Sequence, residues 1–192
     1  MSRDILLISD TMIKERTAVH GNIDPKLLYP EIKVAQDMYI HPILGTALFN
    51  KLLTDVAAGT LAGNYKTLVD RYIVDALIYF TLAELPTTIS YQFWNKGVLR
   101  KQGDNTELPS MSDLIDIASK YKQRAEYYAN RMRLYLKEYD TLFPEYISPG
   151  NGLDDIQPDN HAFTIGIYLG LDSDCPKTFE EKYQGDTPNC GC

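Results

Sequence analysis

Apolar residues recur at helical spacing along most of the first 140 positions of the chain. The longest such pattern starts at Ser110 or Ser112 and runs to about Tyr139; within it, two sets of residues each repeat every seven positions and are offset by four. The two sets are Leu114, Tyr121, Tyr128 and Tyr135, and Ala118, Ala125, Met132 and Tyr139. This heptad register predicts one long helix that packs along two others. A self-associating coiled coil is the alternative, which Tyr and Ala disfavour because they are poor zipper residues.

Two earlier helices are predicted from their end signals. Asp24 followed by Pro25 is typical of a helix start, because Asp caps free N–H groups and Pro suits the first helical position. His41-Pro42 is expected to end that helix, since Pro disfavours helical backbone in the residue before it. The same Pro then opens a second helix, which Gly59 closes as a C-terminal cap.

A third helix is predicted to start at Asn64, as its N-cap, and to end at Pro86. The stretch Thr87–Pro109 has little periodicity, and we expect it to be a loop. The predicted fold class is therefore all-α. It is a four-helix-type bundle with a long C-terminal helix, followed by an extended, partly β C-terminal arm.

The chain loses its periodicity after Phe143, and dense Pro and Gly residues predict no regular structure until Ala162. Residues 163–169 have the composition of a single strand, which needs a ladder partner. We expect that partner to be the apolar segment Ile5–Ile8, itself a short strand or an extended docking segment, or the sheet of another subunit. The residues assigned to partner binding on this basis are Ile5, Leu6, Leu7, Ile8, Phe163, Ile165, Ile167 and Tyr168.

The balance of acidic and basic residues changes near the position at which the helical periodicity is lost. From Glu138 onward there are 11 acidic residues and 2 lysines, whereas residues 1–137 hold 17 basic and 15 acidic residues. We predict a helical domain, residues 1–143, and an extended acidic arm, residues 144–192. The arm has too little apolar content to fold alone and must order against another surface. A net charge of −7 for the whole chain argues against general nucleic-acid binding.

Basic residues lie on the predicted long helix outside its heptad seam. They are Lys120, Lys122, Arg124, Arg131, Arg133 and Lys137. They either solvate the outer face of the helix or receive an acidic arm from a neighbouring subunit. For the second alternative, Arg131 and Arg133 are assigned to partner binding.

Candidate chemistry is sparse. The three histidines, at positions 20, 41 and 161, form no HExxH pattern, and no phosphate-binding or nucleophile-elbow motif is present. Cys175, Cys190 and Cys192 with His161 would supply four zinc ligands, but their spacing is loose. We expect no catalytic residue, no metal and no cofactor, and hence a protein that is not an enzyme.

The sequence also bears on location. No window approaches the run of about 18 apolar residues that spans a membrane, so we expect no membrane association. The start does not resemble a signal peptide. Three cysteines, an odd number near the C-terminal end, are not a disulfide framework, so synthesis in a reducing cytoplasm is the expectation.

The stretch from Met12 to Leu85 carries a recognisable combination of segments. They are Ile13-Lys-Glu-Arg-Thr17, the Asp24-Pro25 start, Ala35-Gln36, Ile40-His-Pro-Ile-Leu-Gly-Thr-Ala-Leu-Phe-Asn-Lys-Leu52 and Asp75-Ala-Leu-Ile-Tyr79. Together they resemble the small helical head-to-tail connector (adaptor) proteins of tailed bacteriophages, most closely those of crAss-like phages. The resemblance covers about 40% of the chain, and the long fourth helix agrees in order and length.

This resemblance implies a structural role in the virion neck. Connector proteins of this kind form a ring, usually of twelve subunits, below the portal protein at the capsid vertex. The ring extends the DNA channel, contacts other connector and tail proteins and offers a platform for the tail. Packaged DNA passes through it without specific binding. The implied subunit is made in the bacterial host cytoplasm and has no catalytic residues.

Two other classes of function remain open. One is a cytoplasmic helical protein-interaction module that binds a partner through its C-terminal arm. The other is a small metalloenzyme built around Cys175, Cys190, Cys192 and His161.

Overall fold

The computed structural model describes residues 4–95, 97–100, 109–148 and 155–159, and at 92–94 and 97–100 only the backbone. These residues all belong to one compact unit, Met1–Ala162. The described part is mostly helical, which confirms the all-α class. Its helices are α1 (Asp10–Arg16), α2 (Pro25–Ala35), α3 (His41–Leu44), α4 (Thr46–Ala58), α5 (Gly63–Leu68), α6 (Val74–Ser90), α7 (Met111–Glu138) and α8 (Pro144–Ile147).

The helix that begins at Pro25 does not end at His41-Pro42, so that prediction is wrong. A π-helical turn, Gln36–Ile40, joins α2 directly to α3. Pro42 lies in the first turn of α3, where its missing N–H costs no hydrogen bond. The chain turns at Gly45 instead, with φ 75° and ψ 158°. The predicted start with an Asp24 cap and the Gly59 C-cap are both confirmed.

A second π-helical turn, Val69–Ile73, joins α5 to α6 and makes one 28-residue helix, Gly63–Ser90. Its N-cap is Ala62 rather than Asn64, and it continues through Pro86, so both predicted ends are wrong. Leu82 and Leu85, in the turn that precedes Pro86, are both buried in the core. Their packing holds the backbone helical past the proline, as tertiary contacts commonly override local preference.

By length and composition, helix 63–90 is apolar enough to cross a membrane, which corrects the expectation that no segment is. Half of that apolar window is buried inside the protein. Buried core helices satisfy the same criterion, and α6 packs against both α7 and α2.

The long helix α7 occupies the position that its heptads predict. Leu114, Ala125 and Met132 are buried, while the tyrosines of the first set are half-buried against helix 63–90. Tyr135 stacks on Tyr72 with ring centroids 4.1 Å apart, and Tyr128 stacks on Tyr79 at 5.4 Å. These ring pairs lie between α7 and helix 63–90, where stacking adds to the burial of apolar area.

A capping box sets the first turn of α7. The Ser110 hydroxyl accepts from Asp113 N, and the Asp113 carboxylate accepts from Ser110 N. Ser110→Ala is therefore expected to lower the free energy of unfolding by about 1 kcal/mol. Urea denaturation measures the difference. Ser112→Ala, an exposed position without a capping bond, is the control, and an equal loss in both variants would contradict the capping role.

The stretch expected to be a loop contains regular structure. Its first residues belong to α6, and strands β1 (Tyr91–Trp94) and β2 (Gly97–Arg100) follow as an antiparallel pair. Tyr91 pairs with Arg100 and Trp94 with Gly97. The loop prediction is wrong for these residues.

The segment Ile5–Ile8 is not a strand in this chain. The buried Gln36 side chain takes the part of a strand neighbour: its Oε1 accepts from Leu7 N at 2.9 Å and its Nε2 donates to Ile5 O at 3.1 Å. Leu7 and Ile8 are thereby fixed in the core. A side-chain amide can satisfy such backbone groups as well as a ladder does.

The chain after α7 continues to pack on the helical body. Phe143 is fully buried and meets the rings of Tyr65 and Tyr135 edge-on. The expected absence of regular structure after Phe143 is wrong for α8, which packs against α4. The Tyr65 hydroxyl donates to Glu145 at 2.7 Å; burial and this bond raise the pKa of Tyr65 to about 12. The domain boundary between residues 143 and 144 stays a prediction.

Candidate functional site

Residues 155–159, here called the strap, lie on the corner between α3 and α4. Ile156 N donates to the Thr46 hydroxyl at 2.8 Å, and Thr46 N donates to Ile156 O at 3.0 Å. Asp159 N donates to Pro42 O at 2.8 Å. Three hydrogen bonds thus attach the strap to a point more than 100 residues earlier in the chain.

Gly45 makes the close approach of the strap feasible. A Cβ atom added there would lie 2.7 Å from Pro158 Cγ and 3.2 Å from Ile156 O. The backbone angles, φ 75° and ψ 158°, belong to a region that only glycine adopts readily. The corner therefore requires glycine for both its backbone shape and its contact with the strap.

His41 supports Thr46 from the other side. Its ring stacks on Phe49 with centroids 4.4 Å apart, and its Nε2 lies 3.0 Å from Thr46 Oγ1. Burial lowers the pKa of His41, so the ring is neutral at pH 7. Thr46 Oγ1 also accepts from Ile156 N, so this hydroxyl lies between the imidazole and the strap; the imidazole tautomer sets which partner donates in the His41–Thr46 bond. The histidine therefore acts as a structural support for the strap.

Arg133 holds the end of the strap. Its guanidinium donates to the Asn130 side chain at 2.9 Å and to the Asp159 carboxylate at 3.3 Å. The Arg133 side chain is 18% exposed, and its Nε is buried without a hydrogen-bond partner among the described residues. The Asp159 side chain is 41% exposed, so water screens this ion pair and its contribution to stability is modest.

A second surface lies on α7. The cationic face comprises Lys120, Arg124, Tyr127, Arg131 and Leu134, whose spacing of four, three, four and three residues puts them on one side of the helix. All five side chains are exposed, Tyr127 to 67% and Leu134 to 56%. Residues 120–137 hold six basic residues and one acidic residue. The face therefore combines positive charge with large apolar side chains.

Tyrosines underlie the two arginines of the cationic face. The Arg131 guanidinium lies 4.9 Å from the centroid of Tyr72, and that of Arg124 lies 5.8 Å from Tyr121. A shallow groove of about 390 Å³ lies beside Arg124, lined by Tyr79, Lys120, Gln123, Arg124, Tyr127 and Tyr128. Ring faces hold a guanidinium in place without neutralising its charge. Within the part of the chain that the structure describes, no ion pair involves Lys120, Arg124 or Arg131.

The residues predicted for partner binding differ in their exposure to solvent, and some of them lie outside the described residues. Leu7 and Ile8 are buried in their own core, Leu6 is half-buried and Ile5 is 37% exposed. Phe163, Ile165, Ile167 and Tyr168 lie outside the described residues. Arg131 is on the cationic face, whereas Arg133 lies in α7 and bonds to Asp159 of the strap. Partner binding by any of them stays a prediction.

The strap itself was not foreseen from the sequence. Pro158 and Asp159 were assigned to an irregular acidic segment, and Thr46 had no role. The available signal was Gly45-Thr46 after a short apolar run, because glycine before a helix start marks a turn with unusual backbone angles. Nothing local indicates that Ile156 is its partner.

Among the described residues, no three His, Cys, Asp or Glu side chains lie close enough together to hold a metal ion. Cys175, Cys190, Cys192 and His161 lie outside those ranges. The metalloenzyme alternative and the expected absence of a cofactor therefore both stay predictions.

Comparison with known proteins gives one match. Residues 40–156, more than half of the chain, match the model of a family of unknown function, DUF6712. Neither a curated protein nor a solved structure matches the chain. The matched region starts at the end of the first π-helical turn, runs through the Gly45 corner and α7, and ends at the strap residue that bonds to Thr46. The chain therefore belongs to the DUF6712 family.

Proposed function

We propose that the chain is a structural head-to-tail connector (head completion, adaptor) protein of a tailed bacteriophage. Its copies form a ring, of twelve subunits, below the portal, and the ring extends the DNA channel and offers a platform for the tail. The subunit is made in the host cytoplasm and resides in the virion neck. It needs no cofactor.

The Gly45 corner carries this proposal. The segment Ile40–Leu52, one of those that carry the resemblance to phage connectors, forms this corner and receives the strap. A fixed strap gives every subunit the same departure point for the acidic residues that follow Asp159 along the chain. Identical departure points are what a closed symmetric assembly requires of an exchanged arm.

The proposed subunit has two parts. A four-helix-type bundle, with α7 as its long helix, forms the ring, and an extended, partly β arm orders on a neighbouring subunit, on the portal or on the next ring. Helix faces make the lateral contacts. Acidic charge that faces the channel prevents packaged DNA from adhering to its wall.

Assembly rather than catalysis fits the chemistry of the described residues. The buried polar groups there, Gln36 and Thr81, both bond to backbone atoms of their own chain. His41 supports a hydroxyl, and Arg133 supports the strap. These groups are occupied by structural bonds, and catalysis needs groups that converge on a cavity.

Co-expression with the portal protein of the same phage tests the proposal. We expect native mass spectrometry to show a closed oligomer, and electron microscopy to show a ring of twelve subunits seated on the portal. A control with all three cysteines changed to Ser should assemble equally well. A monomer or dimer that does not bind the portal protein would favour the protein-interaction module instead. Zinc bound in stoichiometric amount would favour the metalloenzyme.

A further inference from the structure

The outer side of α7 changes its charge along the helix. Asp113 and Ile117 precede Lys120 by seven and three residues, so they extend the four-three spacing of the cationic face toward the N-terminus of α7. Asp116 lies one turn before Lys120. We call Asp113, Asp116 and Ile117 the acidic end; all three side chains are exposed, that of Ile117 to 42%. Residues 111–119 contain two acidic residues and no basic one, and the cationic face begins at the next residue.

The Asp116 carboxylate is not used within the part of the subunit that the structure describes. Asp113 closes the capping box, but Asp116 makes no hydrogen bond or ion pair with another described residue. It is the sixth residue of α7, whereas acidic groups stabilise a helix N-terminus only within the first turn. The three cations of the cationic face are also without an ion pair among the described residues. The outer side of α7 therefore presents charges of both signs to a partner.

We propose that the acidic end of one copy of this chain docks on the cationic face of the next copy. Asp116 meets Arg131 of that copy, and Ile117 packs against its Tyr127 and Leu134. Complementary charge selects the two surfaces, and the exposed apolar side chains supply the area that is buried. The inference rests on the proposed function in one respect: a contact of this kind repeats from copy to copy and closes into a ring when the rotation is suitable.

The occupant of the cationic face has to come from another α7. Asp116 and Arg131 of one chain are 15 residues apart, or about 22 Å along the helix axis. A continuous helix cannot fold back to bring these two groups together. A second copy supplies both the carboxylates and the exposed apolar side chain that the face lacks.

Like charges favour a head-to-tail contact over a two-fold pair. An antiparallel pair in which Asp116 faces Arg131 would have its axis between residues 123 and 124, so the Arg124 side chains of the two copies would meet. Like charges that face each other across an interface are destabilising. In a parallel head-to-tail contact the two Arg124 residues stay about 22 Å apart along the axis. Each copy then offers its acidic end to one neighbour and its cationic face to the other.

Charge reversal in the full chain tests the contact. We expect the wild type to form oligomers larger than a dimer at low salt. Asp116→Lys and Arg131→Glu should each weaken association about tenfold, and both changes in one chain should restore it, because an opposite pair is formed again. Glu15→Lys and Lys26→Glu, equal changes of charge at exposed residues outside α7, are the controls and should have no effect. Sedimentation velocity measures association, which should weaken near 1 M salt, where the screening length is about 3 Å.

Mixing the two single variants shows whether the contact joins different copies. The Asp116→Lys chain keeps an intact cationic face, and the Arg131→Glu chain keeps an intact acidic end. Each alone should associate weakly, whereas an equimolar mixture should associate like the wild type, because every end then finds a face of opposite charge. Mixing would not relieve a folding defect of either chain.

The apolar part of the contact has a test that leaves every charge in place. Leu134→Gln should weaken association, whereas Met38→Gln should not, although Met38 is exposed to 60% and Leu134 to 56%. Neither side chain is part of the core, so circular dichroism should show both variants to be folded. This pair keeps the proposal testable if a charge reversal prevents folding.

Three results would overturn the proposal. One is a wild-type chain that stays monomeric at low salt at every concentration at which it is soluble. Another is association that the single reversals leave unchanged, or that stops at two copies. A third is a short DNA duplex whose binding is abolished by Arg131→Glu while self-association is unchanged, because the face would then be a nucleic-acid surface.

The same variants separate this contact from the connector function. Rings that still form on the portal protein with either single reversal would refute the contact and leave the connector function standing. Oligomers that depend on Asp116 and Arg131 but do not bind the portal protein would support the contact and refute the connector function.

Discussion

Gly45→Ala is expected to lower the free energy of unfolding by about 3 kcal/mol and to release the strap. Part of the loss is backbone strain of about 1–3 kcal/mol, because φ 75° with ψ 158° is nearly closed to residues with a Cβ. The remainder arises because the new methyl group would lie 2.7 Å from Pro158 Cγ. Urea denaturation with an unchanged m-value measures the total, and faster amide exchange at Ile156 reports release of the strap.

Two comparisons separate the causes. Gly59 has φ 68° and no atom within 4 Å of an added Cβ, so Gly59→Ala pays about 1–2 kcal/mol for its left-handed backbone alone. Pro158→Ala removes the ring that Gly45→Ala strikes, so the double variant should lose less than the sum of the two single losses. Strict additivity would show that the strap does not press on this corner.

The parts of the fold that sequence predicts well are those that local chemistry decides. Asp24-Pro25 and Gly59 are correct because a cap acts on its own helix end and needs no distant partner. The extent of α7 is correct because Ser110 and Asp113 reinforce each other and the heptad continues for four repeats.

The errors arise where packing overrides local preference. Pro42 and Pro86 are predicted as helix ends, yet Pro42 falls in a first turn after a π-helical turn, and Pro86 lies inside α6 just after the buried Leu82 and Leu85. Ile5–Ile8 has strand composition but finds a glutamine side chain instead of a strand. For Ile5–Ile8 the decisive partner, Gln36, lies about 30 residues away in sequence.

The two candidate surfaces also differ in how well the sequence predicts them. The cationic face could be predicted, because its charges repeat on a helix whose register is known. The strap could not, because Thr46 and Ile156 are 110 residues apart and each is ordinary in its own surroundings. The sequence shows that the C-terminal part is acidic. The place where the chain before that part is attached to the helical body, at the Gly45 corner, is known only from the folded structure.

Removing residues 160–192 is expected to leave the helical body stable and to abolish incorporation into particles, or to leave heads that package DNA and then leak it. A chain that ends at Asp159 keeps the strap with its three hydrogen bonds and the Arg133 ion pair. A chain that ends at Ser148 loses them and should be less stable by roughly 2 kcal/mol, since each net hydrogen bond contributes about 0.5–1.5 kcal/mol.

The two truncated chains therefore separate folding from assembly. Melting curves should show the full chain and the Asp159 chain to be alike and the Ser148 chain to melt lower. Complementation of a phage that lacks the protein, with immunoblots of purified particles, then measures incorporation and infectivity. If the chain ending at Asp159 enters particles and restores infectivity, the C-terminal part is dispensable and the proposed arm-dependent assembly is wrong. If it folds but stays outside the particles, the acidic residues beyond the strap are what joins the subunit to its neighbours, because the helical surfaces alone are then insufficient.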